Sequence, residues 1–374
     1  MLKNMKKSTR SNIITYAMVI VAYIVMQTLV STGSVTNLIQ GLLVPLCAYS
    51  ILAVSLNLTV GILGELSLGH AGFMCVGAFV SAAFSKINAT SIENDLLRFI
   101  IAIIIAAVCA GIVGILIGIP VLRLKGDYLA IVTLAFGEII KNVMNVIYLG
   151  VDSKGIHFCI TKASDLNMES DGKIIINGAT GITGTPHSSN FTIGVILLLI
   201  TLFIVLNLIN SRSGRAIMAI RDNSIAAESI GIDLTKYKML AFSISAMLAG
   251  VAGALYSHNL STLAATSKNF GYNMSIMILV FVVLGGIGNI RGSIIAAIIL
   301  TLLPELLRAV NDYRMLIYAI LLIALMLFNS SPAGINFREK YGIGRLLHKN
   351  GPDLSETAGT QRAHHVEGAG KKGV

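Results

Sequence analysis

Charge is scarce in this 374-residue chain: Asp, Glu, Lys and Arg make up 12% of it, while 55% is hydrophobic. A soluble domain of that length lacks the interior to hide so much apolar surface, so a water-soluble fold is excluded. Cysteine is too sparse to form a framework. Of the four, Cys47, Cys75 and Cys109 fall in apolar runs and Cys159 in a polar loop, with no C-x-x-C and no Cys/His cluster, so neither a disulfide nor a zinc site is implied. There is no G-x-x-x-x-G-K-S/T phosphate loop, no H-E-x-x-H, and no Ser or Cys nucleophile in a catalytic setting. No catalytic residue, metal or cofactor is therefore expected, and the chain does not hydrolyse ATP by itself.

What is present is membrane-length apolar sequence. A hydrocarbon core of about 30 Å needs roughly 20 apolar residues per helix. Candidate spans begin near Asn12, Leu38, Leu66, Phe99, Tyr128, Phe191, Met239, Met274, Gly292 and Tyr313, giving an all-α bundle of about ten helices. The third and eighth are interrupted by Gly69, His70, Gly72 and by Gly285, Gly286, Gly288, a pattern suited to broken or partly re-entrant helices. An even number of spans puts both termini on one side. Placing that side in the cytoplasm puts 19 of the 28 Lys and Arg in inner segments, as the positive-inside rule requires. The net charge of +10 then reports topology, and no nucleic-acid partner is implied. The first apolar run lacks an A-x-A-like cleavage site and reads as a retained helix.

The expected organisation is a cytoplasmic segment 1–11, a transmembrane domain 12–328 and a cytoplasmic, disordered tail 329–374. Within the domain, the loop 150–190 lies outside and is rich in turn residues, with a short strand expected over Ile174 to Ile176. It is read as an ordered cap or as a contact for a delivery protein. In the tail, His364 and His365 lack further ligands, so they make weak evidence for a metal.

The loop 211–233 on the inner side is too polar for a span. Gly214 opens it, Ala216, Ile217 and Ile220 recur at helical spacing, and Arg215 and Arg221 make one side basic. Asp222, Asn223 and Ser224 are cap-type residues that end one short helix and start another, whose positions Ala226, Ala227 and Ile230 run to a stop at Gly231. Two short helices in a loop are a shape that another protein can hold, although a helix lying on the membrane surface fits the basic residues too.

Charges inside spans are costly and so are functional candidates. Glu138 and Lys141 lie three residues apart on one face of the fifth span, continued by Asn142 and Asn145. They either pack within the bundle or line a watery route. Glu305 and Arg308, after Pro304, repeat the pattern, and there the structural reading is the stronger. In the glycine-rich stretch from Gly61, small residues suit close helix packing. Alternatively Ser67 and His70, beside backbone exposed by a break, touch a small polar solute.

Five motifs in order resemble the LivM-type permeases of bacterial branched-chain amino-acid ABC importers. They are G-E-L-S-L-G-H-A-G-F-M-C-V-G-A-F from Gly64, R-L-K-G-D-Y-L-A-I-V-T-L-A-F-G-E-I from Arg123, G-A-T-G-I-T-G-T-P from Gly178, G-R-A-I-M-A-I-R-D-N-S-I-A-A-E-S-I-G-I from Gly214, and V-L-G-G-I-G-N-I-R-G-S from Val283. The resemblance covers about Leu38 to Phe328. It implies a multi-pass inner-membrane subunit, in contact with lipid, that pairs with a homologous permease, two cytoplasmic ATPases that bind the ATP, and an extracytoplasmic solute-binding protein. It makes the loop 211–233 the ATPase-coupling element, with Arg221 and Asp222 as polar contacts and Gly231 as the turn. Ile225 stands where the family's E-A-A-x-x-x-G pattern has Glu, with Glu228 nearby. The solute expected is Leu, Ile or Val, with urea, short amides or another amino acid as alternatives within the family. A self-sufficient ion-coupled carrier, using Glu138 and Lys141, is the alternative of a different class.

Overall fold

The computed structural model describes residues 7–33, 36–89, 91–124, 126–153, 155–166, 168, 172–307 and isolated positions between 316 and 327. Arg308, the expected tenth span from Tyr313 and the tail 329–374 lie outside the described residues or are covered only at those isolated positions.

Helices dominate. They are α1 (Lys7–Ser31), α2 (Asn37–Asn57), α3 (His70–Ile87), α4 (Asp95–Val121), α5 (Asp127–Val146), α6 (Phe191–Asn210), α7 (Arg212–Asp222), α8 (Ser224–Ser229), α9 (Leu234–Ser257), α10 (Ser267–Phe270), α11 (Tyr272–Gly285) and α12 (Ile290–Leu306). Among the described residues eight segments are long and apolar enough to cross a membrane: α1 to α6, α9, and α10 with α11. They fall where the first eight spans are expected. α12, in the place of the ninth, has 17 residues.

The interruptions coincide with the expected glycines only in part: Gly69, Gly286 and Gly288 lie in the breaks, and Gly72 and Gly285 in helix. Gly72 lies inside an unbroken α3, which starts at His70, and the non-helical stretch is Gly64–Gly69 before it. Likewise α11 is continuous to Gly285, and the break runs from Gly286 to Asn289, ahead of α12. A helix continues through a small residue as long as its φ stays negative. Gly64, Gly286 and Gly288, at φ +83°, +93° and +81°, leave that region and end it.

The interior is built where α3, α4 and α9 meet, on small residues. A Cβ on Gly77 would lie 2.7 Å from the Gly250 carbonyl carbon, and one on Gly253 2.9 Å from Ala78 N, while Gly250 packs on Ala106 and Ala110 of α4. Lipid tails are as apolar as these side chains, so close backbone approach and dispersion, rather than escape from water, hold such helices together. Hydroxyls bridge the same seam, Ser81 to Ser257 at 3.0 Å and Ser85 to His258 Nε2 at 2.9 Å.

At one end of the bundle, following α5, lies a sheet of order β2-β1-β3, from β1 (Tyr148–Asp152), β2 (Gly155–Cys159) and β3 (Lys173–Asn177). β3 contains the expected strand Ile174 to Ile176; β1 and β2 are additional. Two residues of β4 (Ile182–Thr183) pair with β5 (Thr262–Leu263), and Lys86 Nζ donates to Thr183 O at 2.9 Å, tying the loop to α3. The loop that holds α7 and α8 lies at the other end of α6.

Candidate functional site

The α7–α8 loop is built by caps. Ser211 Oγ accepts the Gly214 N–H at 3.1 Å and starts α7. Asn223 Oδ1 accepts Ala226 N–H at 3.0 Å and starts α8, and Asp233 Oδ1 accepts Lys236 N–H at 3.0 Å and starts α9. Gly231, at φ +85°, ends α8 and donates to Glu228 O at 2.9 Å. Of the cap-type residues Asp222, Asn223 and Ser224, Asn223 supplies the side-chain cap, and Asp222 instead holds Arg221.

Gly214, Ala216, Ile217 and Ile220 form the buried face of α7. Ile217 joins a cluster with Leu58, Ile62, Leu63 and Ala241, so the loop packs directly on the end of α2 and on α9. On α8 only Ala227 is buried. Ala226 and Ile230, expected on its apolar face, are exposed. Ile225 and Ile230 are 80% and 75% exposed, flanking exposed Asp222, Asn223 and Glu228. Arg215 folds back to donate to Asn210 O at 3.2 Å.

Arg221 does not point away from the body. Its Nη1 donates to Gly61 O at 3.0 Å, and its Nε and Nη2 donate to Asp222 Oδ1 at 3.0 and 2.9 Å. Gly61 lies in a π-helical stretch, Leu58–Leu63, that continues α2. In an α-helix the Gly61 carbonyl would accept the N–H of Glu65. Here Glu65 N–H reaches back to Thr59 O at 3.1 Å, and the guanidinium takes the vacated place. Glu65 itself pairs with Lys238 at the start of α9.

Beyond Gly64 the unwound stretch is held by side chains. Leu68 N–H donates to Thr133 Oγ1 at 3.0 Å, and Ala71 N–H to Ser275 Oγ at 3.2 Å. His70 is buried, with Nε2 hydrogen bonded to Ser55 Oγ at 2.7 Å. Ser67 is 1% exposed, and its Oγ has no partner among the described residues. Backbone contacts between Gly69 and Thr133, and between Gly72 and Gly137, seat this stretch on α5.

One turn further along α5, Lys141 pairs with Glu138 and donates to Ser267 Oγ at 3.0 Å, while Glu138 Oε1 accepts the Tyr272 N–H at 2.6 Å. Asn145 Nδ2 donates to Ala265 O at 3.0 Å. Together these bonds bind α5 to the start of α10 and α11. Asn142 is separate. It is exposed, on a stripe of α5 whose other exposed residues include Tyr128, Ile131, Ile139 and Val146. Ser67 and His70 thus share the α3–α5 seam with Glu138 and Lys141 but do not meet them. Asn142 faces elsewhere.

Sequence reasoning missed Asn57. Fully buried at the end of α2, its Oδ1 accepts the Gly288 N–H at 2.8 Å and its Nδ2 donates to Ser293 Oγ at 2.8 Å, so one side chain ties α2 to the second break and to α12. An Asn inside a long apolar run was the available signal.

The chain matches the family described as "Branched-chain amino acid transport system / permease component" over residues 38–326. It is 34% identical to the high-affinity branched-chain amino acid transport system permease protein LivM of Escherichia coli (strain K12), covering 77% of this chain and 67% of that one. Identity is 27% to the probable branched-chain amino acid transport permease protein LivM of Methanocaldococcus jannaschii, over 68% and 77% of the two chains. It is 23% to the permease protein LivH of E. coli K12, over 77% and 90%. No solved structure matches the chain.

Proposed function

We propose that this chain, which belongs to the family of branched-chain amino acid transport permease components, is the membrane subunit of an ATP-driven importer that forms, with a homologous permease, the pathway for Leu, Ile or Val. The observation that carries this reading is the α7–α8 loop: a capped helix pair seated on the bundle, presenting exposed Ile225 and Ile230 among Asp222, Asn223 and Glu228. Bare isoleucines at such exposure outside a hydrocarbon layer fit the rim of a protein contact, and a cytoplasmic ATPase is the partner that this loop would engage. The positive-inside rule puts the loop and both termini in the cytoplasm and the β1–β3 sheet outside, where a binding protein delivers solute. Likeness to both LivM and LivH supports pairing with a second permease of the same descent.

ATP binding closes the two ATPases, the loop moves with them, and the permease pair exchanges inward-facing for outward-facing states. The α5 stripe that carries Asn142 lines the route or the permease pairing, because an amide on an otherwise apolar face is costly against lipid. Glu138 and Lys141 are satisfied by each other, by Ser267 and by Tyr272 N–H, which favours a structural pair over the coupling site of an ion-driven carrier.

The test is co-purification with candidate ATPase and permease subunits. Wild type should retain the ATPases, and Ile225→Asp with Ile230→Asp should release them without unfolding the bundle. Gly231→Pro, which forces φ negative at the α8 stop, should do the same. Retention in every variant, or ion-driven uptake by the chain alone, would sink the proposal.

A further inference from the structure

We infer that Arg221 is a positioning residue that couples the loop to a joint formed by the two helix breaks, and that this joint is the moving part of the permease at the loop end. The inference rests on the reading of the α7–α8 loop as the ATPase-coupling element.

The chain of contacts is continuous. Arg221 takes the Gly61 carbonyl that the π-helical turn leaves without its backbone donor. Gly61 in turn lies against the second break with no side chain between them: a Cβ there would strike the Gly288 N and Asn57 Oδ1. Asn57 accepts from Gly288 N–H and donates to Ser293 Oγ of α12, so the second break is satisfied by the helix that carries the first. On the other side, the Glu65–Lys238 pair ties the unwound stretch to the first turns of α9, the helix that the loop leads into. A displacement of α7 therefore pulls on Gly61 directly, and through it on Gly288 and α12.

The joint has the properties of a hinge. Gly64, Gly286 and Gly288 carry positive φ, a conformation that glycine enters and leaves at low cost. A π-helical turn shifts to α-helix by re-pairing carbonyls: Glu65 N–H donates to Thr59 O, six residues back, and Gly61 O, four residues back, is the acceptor that an α-helix would give it. If Glu65 N–H moved to Gly61 O, Arg221 would be released, so the guanidinium and the backbone N–H compete for one acceptor. That makes two discrete arrangements rather than a continuous bend. A cavity of ≈ 340 Å³ lined by Ile62, Gly288 and Arg291, among others, lies beside the second break. Arg221 is consequently a link inside the chain rather than a contact with the ATPase, and its exposed neighbours Ile225 and Ile230 do the docking.

The experiment uses the full complex in proteoliposomes, measuring ATPase retention, ATP hydrolysis and ATP-driven uptake of leucine for wild type, Arg221→Gln, Arg221→Lys and Gly288→Ala. Arg221→Gln should keep its ATPases bound and still hydrolyse ATP, while leucine moved per ATP falls at least tenfold. Arg221→Lys, which retains a cationic donor for Gly61 O, should recover transport to within about threefold of wild type. Gly288→Ala should uncouple as Arg221→Gln does. Release of the ATPases by Arg221→Gln would overturn the inference and make Arg221 a docking residue. Wild-type coupling in Arg221→Gln and Gly288→Ala would overturn it as well. Failure of the docking reading shows separately, as ATPases that stay bound in the Ile225→Asp and Ile230→Asp variant.

Discussion

Glycine does opposite work at the α3–α4–α9 seam and at the joint of the two breaks. At the seam, Gly77, Gly250 and Gly253 sit in regular helix, and the missing side chain lets backbones touch over several turns. Contacts of that kind have no slack, since the space a Cβ would need is already filled by another helix's backbone. At the joint, Gly64, Gly286 and Gly288 have positive φ and interrupt helices, and Gly61 meets Gly288 at a single point. The same residue type thus makes a fixed strut in one place and a compliant link in the other. What separates them is whether the lost side chain is exchanged for packing or for a backbone conformation.

The comparison can be broken most forcefully at the seam. Gly77→Ala drives a Cβ into the Gly250 backbone, and overpacking of that kind should cost about 3 kcal/mol, read as a lower unfolding temperature and loss of the monodisperse peak in detergent. A variant as stable as wild type would mean that α3 and α9 slide freely, and the contrast would fall. Gly288→Ala needs a non-glycine residue at φ +81°, with open space on all sides but Gly61 O at 3.5 Å. Its expected cost is smaller, about 1–2 kcal/mol, with the larger consequence in transport per ATP. Equal destabilisation by the two substitutions would remove the distinction between strut and link. Ile225→Ser, on an exposed position, should change stability by less than about 0.5 kcal/mol while weakening ATPase retention.

The smallest effect is expected at the sheet end, away from both regions. The Thr161 hydroxyl, 3.0 Å from Cys159 Sγ, and the Thr161 N–H hold that thiol below its ordinary range. Because the lowered value favours thiolate, the pH at which maleimide labelling of Cys159 rises should lie below that of a free thiol, and Thr161→Val should move it up. Arg221→Gln should leave that profile unchanged. A shift would mean that the joint reaches the sheet, and the two ends could no longer be treated as separate.

Much of this was legible beforehand because the signals were local. Eight spans follow from apolar runs matched to bilayer thickness, and Asn223 and Gly231 act through a hydrogen bond or φ value within four residues of themselves. The breaks were legible only as regions: glycine density marked them, but it also marked Gly72, which sits in unbroken helix. Arg221 and Asp222 looked alike on a polar loop, yet Arg221 turns inward and Asp222 stays outside. Ile230 fitted a buried helical period and is exposed, because α8 ends after six residues and offers the bundle only Ala227.

The sequence by itself determined that the chain is a membrane bundle, where most of its helices run, and that a capped loop interrupts them, since hydrophobic length and capping are properties of short stretches. The tertiary structure decided which distant partner each polar group finds within the protein. Glu138 finds Tyr272 N–H 134 residues away. Arg221 finds Gly61 O at a separation of 160, and Asn57 finds Gly288 N–H at 231. A donor inside a membrane bundle has to meet an acceptor, and which acceptor comes within reach depends on how α2, α5, α7 and α11 pack. No window of sequence holds both members of those pairs.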